Sequence, residues 1–549
     1  SYNYEGTLMT NKIYLALTRI ALSAFTALSV FSFVALQARA EGNGSVAITS
    51  ASITNDGEKV TVTASVSAMP QSDNGMLYLF AEKVYQNEPA GAPVASVPMN
   101  SAVTFSFPLD YKTTKCKLYD KFQVAVLSGG VFVPVSGTRY ITNPEALAQS
   151  SPKRKNNGKK GLILDGAKIG NGNTEATQLG VQQAAYNINL EDIIGGNGGV
   201  VFEYNGKTYN YDSSYLSQYD HAVRTCTQQG MGVTIVLLNP YVPGEEFMIS
   251  PYSRGAHSRY YMMNTSEDVG LENLEAVVTY LAYRYNGQNG FGQVDNWVIG
   301  NEVNAKNEWN IANVSDEMLY AQLYADELRV CYNAIKSKNA NAHVCASFDH
   351  NWTYRNTPSY FSARSLLEAM NACIVAQGNF DWALAEHPYN YPMVWTAFWS
   401  PKNEAAAAMV RHDIDTPYLS MQNIEQLTDY MCQPAMRNTK GAVRPILLTE
   451  VGYSSTQGQE EQASAIVYAY QRAMTNRYIN MIVFNRQTDY PVEVADGLSV
   501  GLTGQDGSRK LAFEFYQQMS SPNAGAYIQR AAANAGIADW NAAMFARYS

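Results

Sequence analysis

The stretch NWVIGNEVN, residues 296–304, joins a short apolar run to a glycine and then to an asparagine and a glutamate. The run Trp297-Val298-Ile299 lacks the polar–apolar alternation of a half-exposed strand, and continuous apolar character is typical of parallel strands covered on both faces. A single glutamate after a strand is usually a surface residue or the N-cap of the next helix. The pair Asn301-Glu302 therefore becomes significant only if other strands end in the same way.

The pattern of an apolar run followed by a helical segment recurs through residues 161–549. Helical periodicity separates the runs, as where Leu271, Leu274 and Val278 fall on one helical face. Eight such units predict an α/β protein with a (β/α)8 TIM barrel. A doubly wound sheet is the alternative, but no G-x-G-x-x-G motif follows the first run and no P-loop is present. The predicted strands are, in chain order, 161–165, 180–187, 231–239, 297–300, 343–348, 382–385, 446–449 and 481–484.

Residues 41–145 follow a different pattern, in which short alternating runs such as Lys59–Val66 are separated by Gly, Pro, Asn and Asp clusters. Alternation with a period of two predicts strands with one buried face. Several of them predict a small all-β, sandwich-like accessory domain before the barrel. Residues 146–160 break the periodicity and carry a basic run. A solvated linker is the favoured interpretation of that run, and binding to an anionic surface is the alternative.

Residues 1–40 are predicted to be a cleaved secretory signal peptide, with residues 1–8 as upstream carry-over. Lys12 supplies a positive charge, residues 13–36 are mostly apolar and small, and Ala38-Arg39-Ala40 is an A-x-A cleavage motif. A retained membrane anchor is the alternative, because the apolar stretch is long for a signal peptide. The protein is therefore expected to be secreted or held at the cell surface, with no membrane span after cleavage.

Composition argues against several classes of function. Hydrophobic residues make up 46% of the 549, enough for a large core, and the formal net charge is −9. A chain without a broad basic field cannot neutralise nucleic-acid phosphates, so no nucleic-acid partner is expected. The six cysteines form no C-x-x-C pair and none stands with a histidine at zinc spacing, so neither a metal nor a cofactor is expected. The sequence carries no indication of the oligomeric state.

Polar and aromatic residues follow most of the predicted strands, and in TIM barrels the chemistry sits at the C-terminal strand ends. Each residue alone could serve ordinary hydrogen bonding or packing at the rim, whereas together they predict a site. The candidates are Asp165, Asn239, Asn301, Glu302, Trp352, His387, Tyr389, Glu450 and Arg486.

Two glutamates among these candidates lie on opposite sides of the barrel mouth. Glu302 follows strand 4 and Glu450 follows strand 7. Glycoside hydrolysis requires such a pair, because one group must be protonated to release the leaving oxygen and the other ionised to attack or to activate water. Mutual repulsion of the two charges would help to separate their pKa values.

These motifs resemble those of glycoside hydrolase clan A, whose barrels carry catalytic glutamates on strands 4 and 7. The resemblance covers roughly residues 160–520 and implies that Glu302 is the general acid/base. It implies that Glu450 is the nucleophile that forms a glycosyl-enzyme intermediate. The matching segments are 297–302, 387–389, 448–452 and 501–512.

The resemblance further implies that Asn301 binds the 2-hydroxyl beside the scissile bond, that Tyr389 orients Glu450 and that His387 lines the same subsite. The remaining strand-end candidates are expected to contact substrate. Two departures concern the central sugar subsite. Residues 182–187 contain no arginine where clan members commonly carry one, and Phe484-Asn485-Arg486 stands where many carry a tryptophan.

The favoured function is therefore a secreted retaining glycoside hydrolase that acts on a β-linked polysaccharide or oligosaccharide. One alternative is a non-catalytic glycan-binding protein on a barrel scaffold, and another is a surface or structural protein whose barrel is incidental. An inverting hydrolase is a mechanistic variant. Carboxyl groups about 5 Å apart would indicate retention, and about 6.5–9.5 Å would indicate inversion.

Overall fold

The computed structural model describes residues 45–148, 153–155 and 158–544. The predicted signal peptide and part of the predicted linker lie outside these residues. Eight parallel strands close into a barrel, and separate antiparallel sheets precede it in the chain. This confirms the predicted α/β fold, a (β/α)8 TIM barrel behind a small all-β region. In the part of the chain that the structure describes, no helix is long and apolar enough to cross a membrane.

The N-terminal region forms two antiparallel sheets. One has the order β1-β2-β5, and the other has the order β4-β3-β6-β7 with β8 beside β6. Burial alternates along β2 and β5, as expected for strands with one face against a core. The strands are β1 (Val46–Ile53), β2 (Lys59–Val66), β3 (Met76–Glu82), β4 (Ala95–Pro98), β5 (Ala102–Pro108), β6 (Lys121–Ser128), β7 (Val131–Pro134) and β8 (Arg139–Tyr140).

The barrel strands coincide with the eight predicted apolar runs, with ends shifted by a few residues. All four residues of β14 are buried, which is the burial expected for a strand covered on both faces. A hairpin, β11–β12, is inserted after β10. The strands are β9 (Lys160–Ile163), β10 (Gln183–Asn189), β11 (Gly199–Tyr204), β12 (Lys207–Asp212), β13 (Gly232–Leu238), β14 (Asn296–Ile299), β15 (His343–Asp349), β16 (Ala383–His387), β17 (Ile446–Val451) and β18 (Ile479–Phe484).

Helices cover the outside of the barrel, and several of them begin with a side-chain cap. The Asp212 carboxylate, for example, accepts hydrogen bonds from the backbone N–H groups of Ser214 and Tyr215. The helices are α1 (Thr174–Gln178), α2 (Leu190–Ile194), α3 (Ser213–Gln228), α4 (Asp268–Arg284), α5 (Lys306–Trp309), α6 (Glu317–Lys336), α7 (Ala363–Ala376), α8 (Glu404–Met409), α9 (Glu425–Met431), α10 (Gln459–Thr475), α11 (Pro491–Ala495), α12 (Leu511–Gln518), α13 (Ala524–Ala535) and α14 (Trp540–Met544). Short 3-10 turns lie at Pro144–Leu147, Gly166–Asn171, Glu246–Met248, Pro251–Ser253 and Pro434–Met436.

The N-terminal sheets are docked on the barrel by buried polar contacts. The Asn333 side-chain amide on α6 donates to the backbone oxygen of Leu118 at 3.0 Å. The Tyr140 backbone N–H donates to the oxygen of Gln377 at 2.9 Å, and the Arg329 guanidinium lies 4.5 Å from the Tyr140 ring centroid. Buried hydrogen bonds need defined partners, so these contacts fix how the two parts sit together.

Part of the basic run predicted to be a solvated linker is packed against the barrel. The buried Lys160 ammonium donates to the oxygen of Leu179 at 2.7 Å and to the Ser520 hydroxyl at 3.0 Å. Burial lowers the pKa of Lys160 to about 7. Arg154 pairs with Asp295 at 2.7 Å. These cations therefore hold the entry to the barrel instead of facing water.

A buried carboxyl group makes the stability of the N-terminal region depend on pH. Glu82 on β3 lies opposite Lys121 on β6, is fully buried, and its carboxyl oxygens have no hydrogen-bond partner among the described residues. Burial raises its pKa to about 7 despite the charge of Lys121. The folded protein thus binds this proton more tightly than the unfolded chain, and stability falls as pH rises from about 4.5 to about 7.

We expect the free energy of unfolding to fall with rising pH by about 3 kcal/mol less in Glu82→Gln than in the wild type. Urea unfolding of the wild type and the variant near pH 5 and near pH 8 measures the difference. Glu58→Gln, at an exposed position before the neighbouring strand β2, is the control. An equal loss of stability between the two pH values in wild type and Glu82→Gln would contradict the assignment.

Candidate active site

The C-terminal ends of β14, β16 and β17 bring four of the predicted residues together at the barrel mouth. The end of β16 and the segment directly after it supply the hydrogen-bond partners of both glutamates. His387 shares a hydrogen bond with Glu302, with 2.7 Å between Nδ1 and Oε1. Tyr389 donates its hydroxyl to Glu450 Oε1 at 2.6 Å. Because these partners are two residues apart in the chain, one short segment positions both carboxyl groups.

The backbone after β14 turns sharply to present Glu302. Gly300 and Glu302 have φ values of 71° and 40°, in the left-handed region that non-glycine residues seldom adopt. The Glu302 backbone N–H donates to the Ser347 hydroxyl on β15 at 3.1 Å. A strained backbone of this kind persists only where neighbouring contacts hold it. The contact with Ser347 is one such restraint.

Glu302 has the environment of a proton donor. Its side chain is 14% exposed, and burial raises its pKa to about 7 although the hydrogen bond and charge of His387 act in the opposite sense. The negative charges of Asp349 and Glu450 add to the rise. A carboxyl group with a pKa near 7 is still partly protonated at neutral pH and can deliver that proton to a leaving group.

His387 links the two sides of the site. Its Nε2 lies 3.0 Å from the hydroxyl of Thr449, the residue before Glu450. Burial lowers the pKa of His387, but the hydrogen bond to Glu302 and the charges of Glu450, Glu302 and Asp349 outweigh it and raise the pKa above its ordinary value. The imidazole can therefore share a proton with Glu302.

Glu450 accepts a hydrogen bond from a phenol that stays protonated. The hydroxyl of Tyr389 donates to it, and burial together with the negative charge of Glu450 raises the pKa of that phenol well above its ordinary value. Tyr389 therefore stays protonated and remains a donor. A hydrogen bond donated to the charged form favours that form.

Asn301 lies beside Glu302 with an amide available to a ligand. The residue is 6% exposed, and its side chain forms no hydrogen bond with the residues that the structure describes. An amide in this position can donate to and accept from a sugar hydroxyl.

Two predicted substrate contacts are turned into the protein. Trp352 is 1% exposed, and its indole N–H donates to the oxygen of Ile414 at 3.0 Å. The Asn239 amide donates to the backbone oxygens of Met248 at 3.0 Å and Tyr261 at 3.2 Å. Both side chains hold the loops that surround the mouth, because a buried polar group needs such partners.

The last two predicted substrate contacts, Asp165 and Arg486, differ in the partners that they already have. Asp165 accepts from the backbone N–H of Ala167 at 2.9 Å, which is a local turn contact. Arg486 lies on the rim with its side chain 27% exposed and faces the Glu493 carboxylate at 3.5 Å. A guanidinium has five N–H donors, so Arg486 has donors left for a ligand.

Glu386, another carboxyl group close to the mouth, belongs to the core. Glu386 is fully buried, and neither of its carboxyl oxygens has a hydrogen-bond partner among the described residues. Burial raises its pKa well above the ordinary value, and the charges of Asp349 and Glu302 add to this. Burial therefore favours the neutral form of Glu386.

Sequence reasoning missed Thr449 and Asn485. The Asn485 side-chain amide donates to the Tyr389 hydroxyl at 3.1 Å, and the peptide bond between Asn485 and Arg486 is cis. Both residues directly adjoin predicted ones, and their polar character at strand ends was the available signal. Among the described residues, no group of three or more His, Cys, Asp or Glu side chains is placed to hold a metal ion.

Comparisons with known proteins gave one family and several solved structures. A family model described as a family of unknown function (DUF5722) matches residues 152–543. No curated protein matches the chain.

The solved structures match this chain at low identity. A family 39 glycoside hydrolase from the gut symbiont Bacteroides cellulosilyticus WH2 is 14% identical with a TM-score of 0.44, and the match covers 84% of this chain and 80% of that one. An exo-β-1,4-mannosidase from Opitutaceae bacterium strain TAV5 is 17% identical with a TM-score of 0.41, over 70% and 60%. A calcium-binding mutant of Bacteroides uniformis β-glucuronidase 2 is 10% identical with a TM-score of 0.40, over 87% and 50%. The chain thus spans half the length of this glucuronidase. Likeness at this level assigns neither an activity nor a substrate.

Proposed function

The chain belongs to the family of unknown function DUF5722, and we propose that it is a retaining glycoside hydrolase that cleaves a β-linked polysaccharide or oligosaccharide. One observation carries the proposal. The two carboxyl groups at the mouth lie in different environments, since burial favours the protonated form of Glu302 whereas Glu450 accepts a hydrogen bond from the Tyr389 hydroxyl. Glycoside hydrolysis needs this division of roles.

The proposed reaction has two steps. Glu302 gives its proton to the glycosidic oxygen while Glu450 attacks the anomeric carbon, so that the bond to the leaving sugar breaks and a glycosyl-enzyme ester forms. Glu302, now ionised, then takes a proton from water, and the resulting hydroxide displaces Glu450. The hydrogen bond between His387 and Glu302 supports both states, because an imidazole nitrogen can accept or donate.

Asn301 and Arg486 are the proposed substrate contacts. The Asn301 amide adjoins the acid and would meet the hydroxyl next to the scissile bond. Such a contact lowers the barrier only if it is stronger in the transition state than in the ground state. We also propose that residues 1–40 direct the enzyme out of the cell, where a polysaccharide substrate would be met.

A glycan-binding protein on a non-catalytic barrel is the alternative function. Binding alone does not require a carboxyl group whose pKa is raised to about 7 next to a second carboxylate held by a phenol. The arrangement of Glu302 and Glu450 therefore favours catalysis.

The test is release of reducing sugar from a panel of β-glucans, mannans, xylans and galactans by the purified protein. NMR of the first product formed then reports its anomeric configuration, and we expect the configuration of the substrate to be retained. Saturable binding to one polysaccharide without release of product would favour the binding protein. Inverted product would leave hydrolysis standing and contradict the double-displacement mechanism.

The pH profile is a separate prediction. Glu302 must be protonated for the first step, and its pKa is about 7. We therefore expect kcat/KM to fall about tenfold for each pH unit above about 7. Initial rates from about pH 4 to about pH 10 measure this limb. A rate that stays constant to about pH 9 would contradict the role of Glu302 as acid.

A further inference from the structure

A chain of hydrogen bonds leads from the barrel rim to Glu450. The Arg486 Nε–H donates to the side-chain oxygen of Asn485 at 2.9 Å. The Asn485 amide nitrogen donates to the Tyr389 hydroxyl at 3.1 Å, and that hydroxyl lies 2.6 Å from Glu450 Oε1. Asn485 and Tyr389 are both buried, so water does not compete freely for these contacts.

The donor chemistry allows only one direction for this chain. A guanidinium has donors and no acceptor, so the side-chain atom of Asn485 that faces Arg486 must be the oxygen. The NH2 group of Asn485 must then face Tyr389. Since the phenol oxygen accepts that hydrogen bond, its single hydrogen is left for Glu450. This series of hydrogen bonds therefore begins at the Arg486 guanidinium on the rim and ends at the Glu450 carboxylate.

We propose that Asn485 is a positioning residue that directs the Tyr389 hydroxyl hydrogen onto Glu450, with its own amide orientation set by Arg486. This deepens the proposed function and rests on it, since Glu450 is the proposed nucleophile. Asn485 has no hydrogen bond to Glu302 or Glu450 and acts through Tyr389, and the Glu493 carboxylate faces both the Asn485 amide and Arg486. A nucleophile that always receives this hydrogen bond stays ionised at a lower pH than one that receives it only part of the time.

The discriminating change is Asn485→Asp. An aspartate at this position has nearly the same shape but no donor, so it accepts from Arg486 and competes with Glu450 for the Tyr389 hydrogen. We expect the acidic limb of the kcat/KM profile to move up by about one pH unit or more. Asn485→Leu removes the donor without supplying a competing acceptor, so the acidic limb of its kcat/KM profile should move much less.

A double-mutant cycle separates this route from the mere addition of charge. The new carboxylate acts through space on Glu450 in either background, but it acts through the hydroxyl only where Tyr389 is present. The effect of Asn485→Asp is therefore measured in the wild type and in Tyr389→Phe. Asn307→Asp adds the same charge at an exposed rim position and is the control. We expect Asn485→Asp to shift the acidic limb clearly more in the enzyme that retains Tyr389 than in Tyr389→Phe. Equal shifts in the two backgrounds would overturn the proposal.

A second readout keeps this inference separate from the proposed function. In protein labelled with ¹³C at the glutamate carboxyl carbon, the Glu450 signal is assigned by its absence in Glu450→Gln, and its titration is followed directly. We expect the Glu450 pKa to rise in Asn485→Asp by more in the Tyr389 background than in Tyr389→Phe. If no glycan is hydrolysed but this difference appears, the hydrolase proposal fails and the positioning role stands. If glycans are hydrolysed and the difference is missing, the positioning role alone fails.

Discussion

Replacement of Glu450 by alanine is expected to lower the rate of glycan hydrolysis by about 10⁶-fold, the scale seen when a hydrolase loses its nucleophile. Two nearby carboxyl groups are held away from this role, Glu302 by its hydrogen bond with His387 and Glu386 by burial in the core. Added azide should restore turnover, since a small anion fits the space that the side chain leaves. The product should be a glycosyl azide of inverted configuration, because only one displacement then occurs.

The matched control is Glu386→Gln, which changes a nearby carboxyl group that lies in the core and whose neutral form is favoured by burial. We expect this variant to keep the wild-type rate. Steady-state rates with and without azide measure both variants on the same substrate. A Glu450→Ala enzyme of near wild-type rate would exclude Glu450 as nucleophile, and loss of activity in Glu386→Gln would show that the effect is not specific.

Replacement of Glu302 by glutamine is expected to slow hydrolysis of natural glycans by about 10²- to 10⁴-fold, the usual contribution of general acid–base catalysis. Glutamine keeps the shape of the side chain but carries no proton that it can transfer. The first step should slow far less for an aryl glycoside with a low leaving-group pKa, because that group departs without protonation. Pre-steady-state measurement of phenol release separates this step from the second one.

The same variant should lose the basic limb near pH 7, since the group responsible for it is gone. The pH dependence of phenol release measures this directly. A limb that persists unchanged in Glu302→Gln would assign the titration to another group, with His387 the nearest candidate because its imidazole shares the Glu302 hydrogen bond. Equal losses for natural and aryl substrates would contradict the role of Glu302 as acid.

The sequence alone predicted the barrel because its signal is local. Parallel strands covered on both faces need continuous apolar runs, and such runs can be identified without knowing their neighbours. The same logic missed the hairpin β11–β12. Its β12 strand alternates Tyr209 and Tyr211 with polar residues, and Tyr211 packs against Tyr280 of α4 with 4.9 Å between ring centroids. A short alternating run between barrel units is recognised only once the helix that it covers is in place.

The residues that reach the barrel rim could also be predicted from the sequence, since a residue directly after a parallel strand must lie at its C-terminal end. Which of these residues face one another depends on the folded structure. It paired Glu302 with His387 and Glu450 with Tyr389, and it turned Trp352 and Asn239 into the surrounding loops. The physical reason is that the position along a strand follows from local geometry. The direction of a side chain, and with it a carboxyl pKa, depends on burial and on hydrogen-bond partners that lie far away in the chain.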